Sequence, residues 1–100
     1  MNYRNRQLLD LAYQIDCTAR IEGVCEGGLG EPMHSNQARH GKGGALKAHD
    51  CFFASGCRAC HRELDQGNKF SREEKFAIWQ AAHERTELEL WRLGLIKVAS

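Results

Sequence analysis

Two pairs of cysteines constrain this chain of 100 residues more than any other feature. Cys57 and Cys60 form a CxxC pair, and Cys17 and Cys25 form a wider pair upstream. Four thiolates complete the tetrahedral coordination of a structural zinc ion. A chain of this length has a small core, and small domains often depend on a metal for their stability. The sequence therefore predicts a structural Zn²⁺ bound by Cys17, Cys25, Cys57 and Cys60.

The number of cysteines and the N-terminal sequence indicate whether we should expect disulfides or free thiols. No apolar segment follows Met1–Arg6, and no apolar run approaches a membrane span, so we expect a cytosolic protein with no membrane partner. Disulfides are rare there, and an odd number of cysteines argues against a complete disulfide framework. Buried, unpaired thiols are the alternative, and that interpretation suits Cys51, which precedes Phe52 and Phe53 in a strand-like run.

Periodicity and turn residues predict an α+β fold in a single domain over residues 1–100. A capping box, Ser71 to Glu74, begins a long helix over about 71–93, whose apolar stripe should cover the metal finger. The finger itself is expected over about 16–67. The other expected elements are an N-terminal helix at 4–14, strands at 32–35 and 51–55, a loop at 36–49 and a helix at 57–66.

A second metal site is predicted directly after the CxxC pair. His61 and Asp65 are four positions apart, so they lie on one face of a helix and can share one cation. An imidazole with a carboxylate suits a divalent ion such as Mg²⁺, Mn²⁺ or Ni²⁺, which would be catalytic because positions remain open for substrate. Two alternatives stay open: a surface pair with no metal, or His61 as a ligand of the structural zinc in place of a cysteine.

His34, expected on the first strand, is the candidate general base for phosphodiester hydrolysis. Asp50 is expected to orient its ring, and His40 and His49 are rival bases beside the loop. The net charge is only +1, but the segment from Pro32 to His49 contains no acidic residue. We expect two basic side chains of this segment to contact phosphate, namely Arg39 and Lys47.

These residues resemble the HNH, or His-Me finger, nucleases, in which a zinc-bound ββα finger carries a His on its first strand and a His on its helix. Within that superfamily the chain is most similar to the YbcO-like prophage proteins, to which a nuclease activity is ascribed. The similarity lies in residues 16–25, His34, Lys47, Asp50 and residues 59–65, and in the ending at 94–97. Many HNH enzymes have a metal ligand just before the base, where this chain has Met33.

The resemblance implies a metal-dependent DNA endonuclease of phage or prophage origin. It would act in phage DNA metabolism or recombination, in the cytoplasm of a bacterial host. One alternative is a non-catalytic zinc-finger module that binds DNA or a phage or host recombination protein. Another is a structural adaptor that associates through the long helix.

Overall fold

A computed structural model describes residues 2–99 and has an α+β architecture, as the sequence predicted. Three α-helices and a two-stranded sheet are present in this part of the chain. In chain order they are α1 (Arg6–Asp10), β1 (Glu31–His34), β2 (Phe53–Gly56), α2 (Arg58–Gln66) and α3 (Arg72–Arg92), with 3₁₀ turns at Leu11–Gln14 and Ala38–His40.

The sheet is a short antiparallel pair, and it sets the position of His34. Glu31 of β1 pairs with Gly56 of β2, and His34 pairs with Phe53. Because β2 leads through Gly56 directly into α2, the start of β1 lies next to the beginning of α2, and His34 stands at the other end of the same short strand. Two candidate site residues far apart in sequence, His34 and His61, therefore belong to adjoining parts of the fold.

Helix α3 packs against β2 and covers the sheet. The Ser71 hydroxyl accepts from the Glu74 amide and the Glu74 carboxylate accepts from the Ser71 amide, which is the predicted capping box. The buried face of the helix is formed by Trp79, Ala82, Thr86 and Leu90. Gly94 follows the helix with a φ of 70°, a left-handed conformation that favours glycine.

A buried polar network joins α3 to the rest of the molecule. The Thr86 hydroxyl accepts from the Ser55 amide at 2.9 Å and lies 3.0 Å from the Thr18 hydroxyl. The Thr18 amide donates to the Ser55 carbonyl oxygen at 2.8 Å. All three residues are at most 1% exposed, so loss of the Thr86 hydroxyl would leave the buried Ser55 amide without a partner.

Three expectations about local structure are wrong. The N-terminal helix spans only Arg6–Asp10, because the chain tightens into a 3₁₀ turn from Leu11. The second strand begins at Phe53, not at residue 51, because the Phe52 amide donates to the His49 carbonyl oxygen in a turn. Cys51 lies in that turn and is exposed, so it is not the buried thiol that the strand-like pattern suggested.

Among residues 2–99, no helix combines the length and the apolar character that crossing a membrane requires.

Candidate metal centre and adjoining cleft

The four predicted zinc ligands lie together. Their sulfur atoms are all within 4.8 Å of one another, and Cys17, Cys57 and Cys60 are buried. The Sγ atoms of Cys25 and Cys17 are 3.7 Å apart, and those of Cys57 and Cys25 are 3.9 Å apart. A zinc–sulfur length of about 2.3 Å gives tetrahedral sulfur separations of about 3.8 Å. The cluster therefore fits a zinc-type ion, and all five cysteines are free thiols.

Backbone amides surround these sulfurs. Gly27 N–H donates to Cys25 Sγ at 3.3 Å, and the amides of Glu26 and Cys60 donate to Cys57 Sγ, each at 3.5 Å. Burial raises the pKa of the Cys57 thiol, but these amide hydrogen bonds outweigh it and lower the pKa to about 7. Amide donors thus stabilise negative charge on sulfur, which a metal ligand requires.

Cys57 also has a local structural role, since it is the N-cap residue of α2. Its sulfur accepts from the Cys60 amide, so the same contact that begins the helix orients the CxxC pair. Burial raises the pKa of the Cys60 thiol, so metal binding there would release a proton. The cluster and the start of α2 consequently form one structural unit.

His34 stands at the end of β1 and is bound to Asp50. Its Nε2 lies 2.8 Å from Asp50 Oδ1, and Asp50 is only 4% exposed. Asp50 Oδ2 accepts from the Asn5 amide at 2.7 Å, and Oδ1 also accepts from Arg4 at 3.2 Å. Burial raises the pKa of Asp50, but the hydrogen bond from His34, the Asn5 amide and the Arg4 charge together lower it. An ionised Asp50 accepts from Nε2–H and leaves Nδ1 of His34 as the nitrogen with the lone pair.

His61 and Asp65 meet on α2, as their spacing predicted, and a third residue joins them. His61 Nε2 lies 3.2 Å from Asp65 Oδ2, while its Nδ1 lies 2.7 Å from Glu31 Oε2. Hydrogen bonds that His61 donates to the carboxylates of Asp65 and Glu31 raise the pKa of His61 against the opposing effect of burial. The ring is directed at two carboxylates and not at the cysteine cluster, so the alternative of His61 as a zinc ligand is wrong for this geometry.

The His61–Asp65 contact is a hydrogen-bonded ion pair in this structure, and its length is also compatible with two ligands of one divalent cation. Neighbouring ligands of an octahedral ion with bonds of about 2.1 Å are about 3.0 Å apart, close to the observed 3.2 Å. Glu31 would then accept from Nδ1–H and hold the ring in place, as carboxylates commonly do for metal-bound histidines. Within residues 2–99 the four cysteines are the only grouping of three or more metal-ligating side chains, so a cation here would have two protein ligands.

One cleft brings the base candidate and the cation pair together. His34 and Asp65 line both of two adjoining cavities, of about 390 and 370 Å³, and His61 lines the second. Lys47, predicted to contact phosphate, lines the second cavity. Three further cationic side chains, which the sequence analysis did not identify, also line the cleft. They are Lys42, Arg72 and Lys75.

Other predicted or rival residues lie elsewhere. Arg39 is not among the residues that line either cavity; its guanidinium donates to Gln37 at 2.7 Å and to Gln80 at 3.1 Å. His40, a rival base, is buried, hydrogen-bonded to Ser35 and stacked on the Phe52 ring, and it lines neither cavity. Met33, by contrast, is 1% exposed and lines the larger cavity with an apolar side chain that offers no oxygen or nitrogen ligand to a cation.

A comparison of folds agrees with this architecture. The structure is similar to the solved structure of an inferred bacteriophage protein from Escherichia coli str. K-12 substr. MG1655, with a TM-score of 0.65. The two sequences are 24% identical, and the match covers 85% of this chain and 96% of the other. No family model and no curated protein matches the sequence. The likeness shows a shared fold, and the resemblance to YbcO-like nucleases stays a prediction.

Proposed function

We propose that this protein is a metal-dependent DNA endonuclease of phage or prophage origin that acts in phage DNA metabolism or recombination. The observation that carries the proposal is the shared cleft. A histidine oriented by a buried carboxylate and a His–Asp pair suited to a cation face the same space. Phosphodiester hydrolysis needs both a base for water and a positive charge near the phosphate.

His34 is the proposed general base. The Asp50 carboxylate accepts from Nε2–H, fixes the orientation of the ring and directs the basic lone pair of Nδ1 away from itself. Water in the cleft would donate its proton to Nδ1 while attacking phosphorus. Asp50 would then stabilise the imidazolium that forms, because it is ionised, buried and already hydrogen-bonded to the ring.

His61 and Asp65 are the proposed ligands of the catalytic cation, and Glu31 holds the imidazole of His61. A divalent ion there would supply Lewis-acid stabilisation of the phosphate and of the leaving oxygen. The cysteine cluster serves a different purpose. Four thiolates form a closed site, so the ion they bind is structural and holds α2 in position.

DNA is the proposed partner because cations line the cleft around these groups. Lys42, Lys47, Arg72 and Lys75 can contact phosphates on either side of the reacting bond. The order β1, β2, α2 beside a cysteine cluster supports the interpretation as a ββα-metal finger. Similarity of fold to an inferred bacteriophage protein supports the phage origin.

The test is nicking of supercoiled plasmid by wild type and by His34→Ala, with added Mg²⁺, Mn²⁺ or Ni²⁺. The matched control is His49→Ala, since His49 also lies near the N-terminal segment but not in the cleft. Zinc content and circular dichroism must match in all three proteins. Nicking by wild type and His49→Ala but not by His34→Ala is expected. An inactive wild type with every ion would contradict the nuclease proposal.

A second candidate is a non-catalytic zinc module that binds DNA or a recombination protein. It is favoured by the buried Met33, which stands where many HNH enzymes have a metal ligand. A cation in the cleft would therefore have only two protein ligands. This candidate predicts salt-dependent DNA binding that His34→Ala does not alter, with no cleavage by either protein.

A further inference from the structure

We propose that the larger cavity of the cleft binds one unpaired nucleobase of a DNA substrate, next to the phosphate that is cut. This inference rests on the proposed function, and it names the class of DNA structure that the site would select. The cavity of about 390 Å³ shares His34 and Asp65 with its neighbour, so its occupant would be part of the same substrate.

The strongest observation is a buried hydrogen-bond donor without a partner. Gln37 lines the cavity and is 7% exposed, and its Nε2 has no hydrogen-bond partner. Its Oε1 accepts from Arg39 Nε at 2.7 Å, which leaves Nε2 as the free end of the amide. Its backbone is held as well, because the Gln37 amide donates to Ser35 Oγ at 3.0 Å. A buried donor of this kind favours a ligand that brings an acceptor.

The other side chains that line the cavity also suit a nucleobase. Leu64 and Phe76 provide apolar surface, and the Arg72 guanidinium lies 5.3 Å from the centre of the Phe76 ring. Aromatic rings and guanidinium planes are the surfaces on which unstacked bases are held. Every DNA base carries acceptor atoms on its edge, and because Gln37 Nε2 is covered by protein, its amide would have to turn toward the cavity to donate to one of them. Lys42 and Lys75 also line the cavity, where the phosphates of the same nucleotide would need them.

Size determines which DNA fits. Sites for single small ligands have volumes of about 300–1,000 Å³, and this cavity, near the lower end of that range, has room for one base. A base inside a duplex would have to be extruded first, whereas a base in a bulge or a single-stranded segment is already unpaired. The cavity therefore predicts a preference for DNA with an unpaired nucleotide.

The test measures binding without added divalent ion, so that it does not depend on cleavage. Fluorescence anisotropy compares a duplex with a single-nucleotide bulge and the same duplex with an abasic site at the bulge. From the usual strength of base stacking on side chains, we expect the base-containing bulge to bind roughly 5- to 100-fold more tightly. Equal affinity for the two duplexes, or no binding to either, would overturn the inference.

Substitutions at Gln37 and Phe76 test whether the preference for an unpaired base arises in this cavity. Gln37→Glu keeps an oxygen for Arg39 but removes the donor, and it should reduce the preference roughly 3- to 10-fold. Phe76→Leu should also reduce it, whereas Trp91→Leu, an exposed aromatic on the same helix, should leave it unchanged. Preferences that stay at the wild-type value in both cavity variants would contradict this location. If a variant does not fold, the comparison of the two duplexes with wild type still decides.

The outcome is separable from that of the nuclease proposal. Plasmid nicking combined with equal binding to both bulged duplexes would support the nuclease proposal and exclude the base pocket. A clear preference for the unpaired base, without nicking under any ion, would support the base pocket and contradict the nuclease proposal.

Discussion

Replacing Asp50 by Asn should destabilise the protein strongly, although the two side chains have nearly the same shape. Asp50 accepts three hydrogen bonds: its Oδ1 from His34 at 2.8 Å and from Arg4 at 3.2 Å, and its Oδ2 from the Asn5 amide at 2.7 Å. An asparagine has one oxygen, so either orientation of its amide places an NH₂ group against a donor. At least one buried hydrogen bond to a charged acceptor is lost.

The magnitude follows from that count. A hydrogen bond to a charged group contributes about 1.5–3 kcal/mol, which for a domain of this size is a fall in Tm of roughly 6–24 °C. The matched control is Asp10→Asn. Asp10 pairs with Arg6 at 3.1 Å on the surface, with side chains 51% and 83% exposed, and such a pair contributes about 0–1 kcal/mol.

The direction in which pH changes the stability difference can also be predicted. The pKa of Asp50 is lower in the folded protein than in the unfolded chain, where it is about 3.9. Its contribution to stability is therefore complete above the unfolded pKa and is lost as the pH falls through the folded one. The stability gap between wild type and Asp50→Asn should narrow as the pH falls below roughly 4.

The assay is chemical denaturation of zinc-loaded wild type, Asp50→Asn and Asp10→Asn between neutral and acidic pH. Because loss of zinc would unfold all three proteins, they are compared only at pH values at which each keeps its zinc, so that the differences report on the carboxylates. If Asp50→Asn is no less stable than Asp10→Asn at pH 7, the reasoning about this buried carboxylate is wrong.

Three more substitutions give measurable outcomes. Cys60→Ser should abolish zinc binding and, with a structural site contributing on the order of 10 kcal/mol, should unfold the domain, whereas Cys51→Ser at an exposed thiol should change neither zinc content nor circular dichroism. Glu31→Gln should leave zinc and fold intact but weaken Mn²⁺ binding roughly 10- to 100-fold by calorimetry. Thr86→Val should cost about 1–3 kcal/mol in urea denaturation because it leaves the buried Ser55 amide unpaired, and Thr86→Ser should restore most of it.

The parts of the fold that depend on local sequence could be predicted. Helix α3 follows from a capping box, an apolar stripe and Gly94, all of which act within a few residues. The cysteine cluster could be predicted because its chemistry is restrictive: thiolates in pairs have few uses in a reducing compartment. The i,i+4 spacing of His61 and Asp65 is likewise a property of one helix.

What the sequence did not reveal depends on contacts between distant segments. Glu31 and His61 are 30 positions apart, and only the antiparallel register of β1 with β2 brings them together. Helical periodicity identifies Arg72 and Lys75 as exposed, but not that the start of α3 faces the cleft. Hydrogen bonding and stacking bury His40 within a glycine-rich segment that looks like a solvated loop.

The central claim is that His34 takes a proton from the attacking water, and single-turnover nicking tests it most directly. With the most effective divalent ion and equal zinc content, His34→Ala should nick roughly 10²- to 10⁴-fold more slowly than wild type. Added imidazole should restore part of that rate, because it can occupy the space left by the missing ring beside Asp50. Nicking by His34→Ala at the wild-type rate would contradict the account.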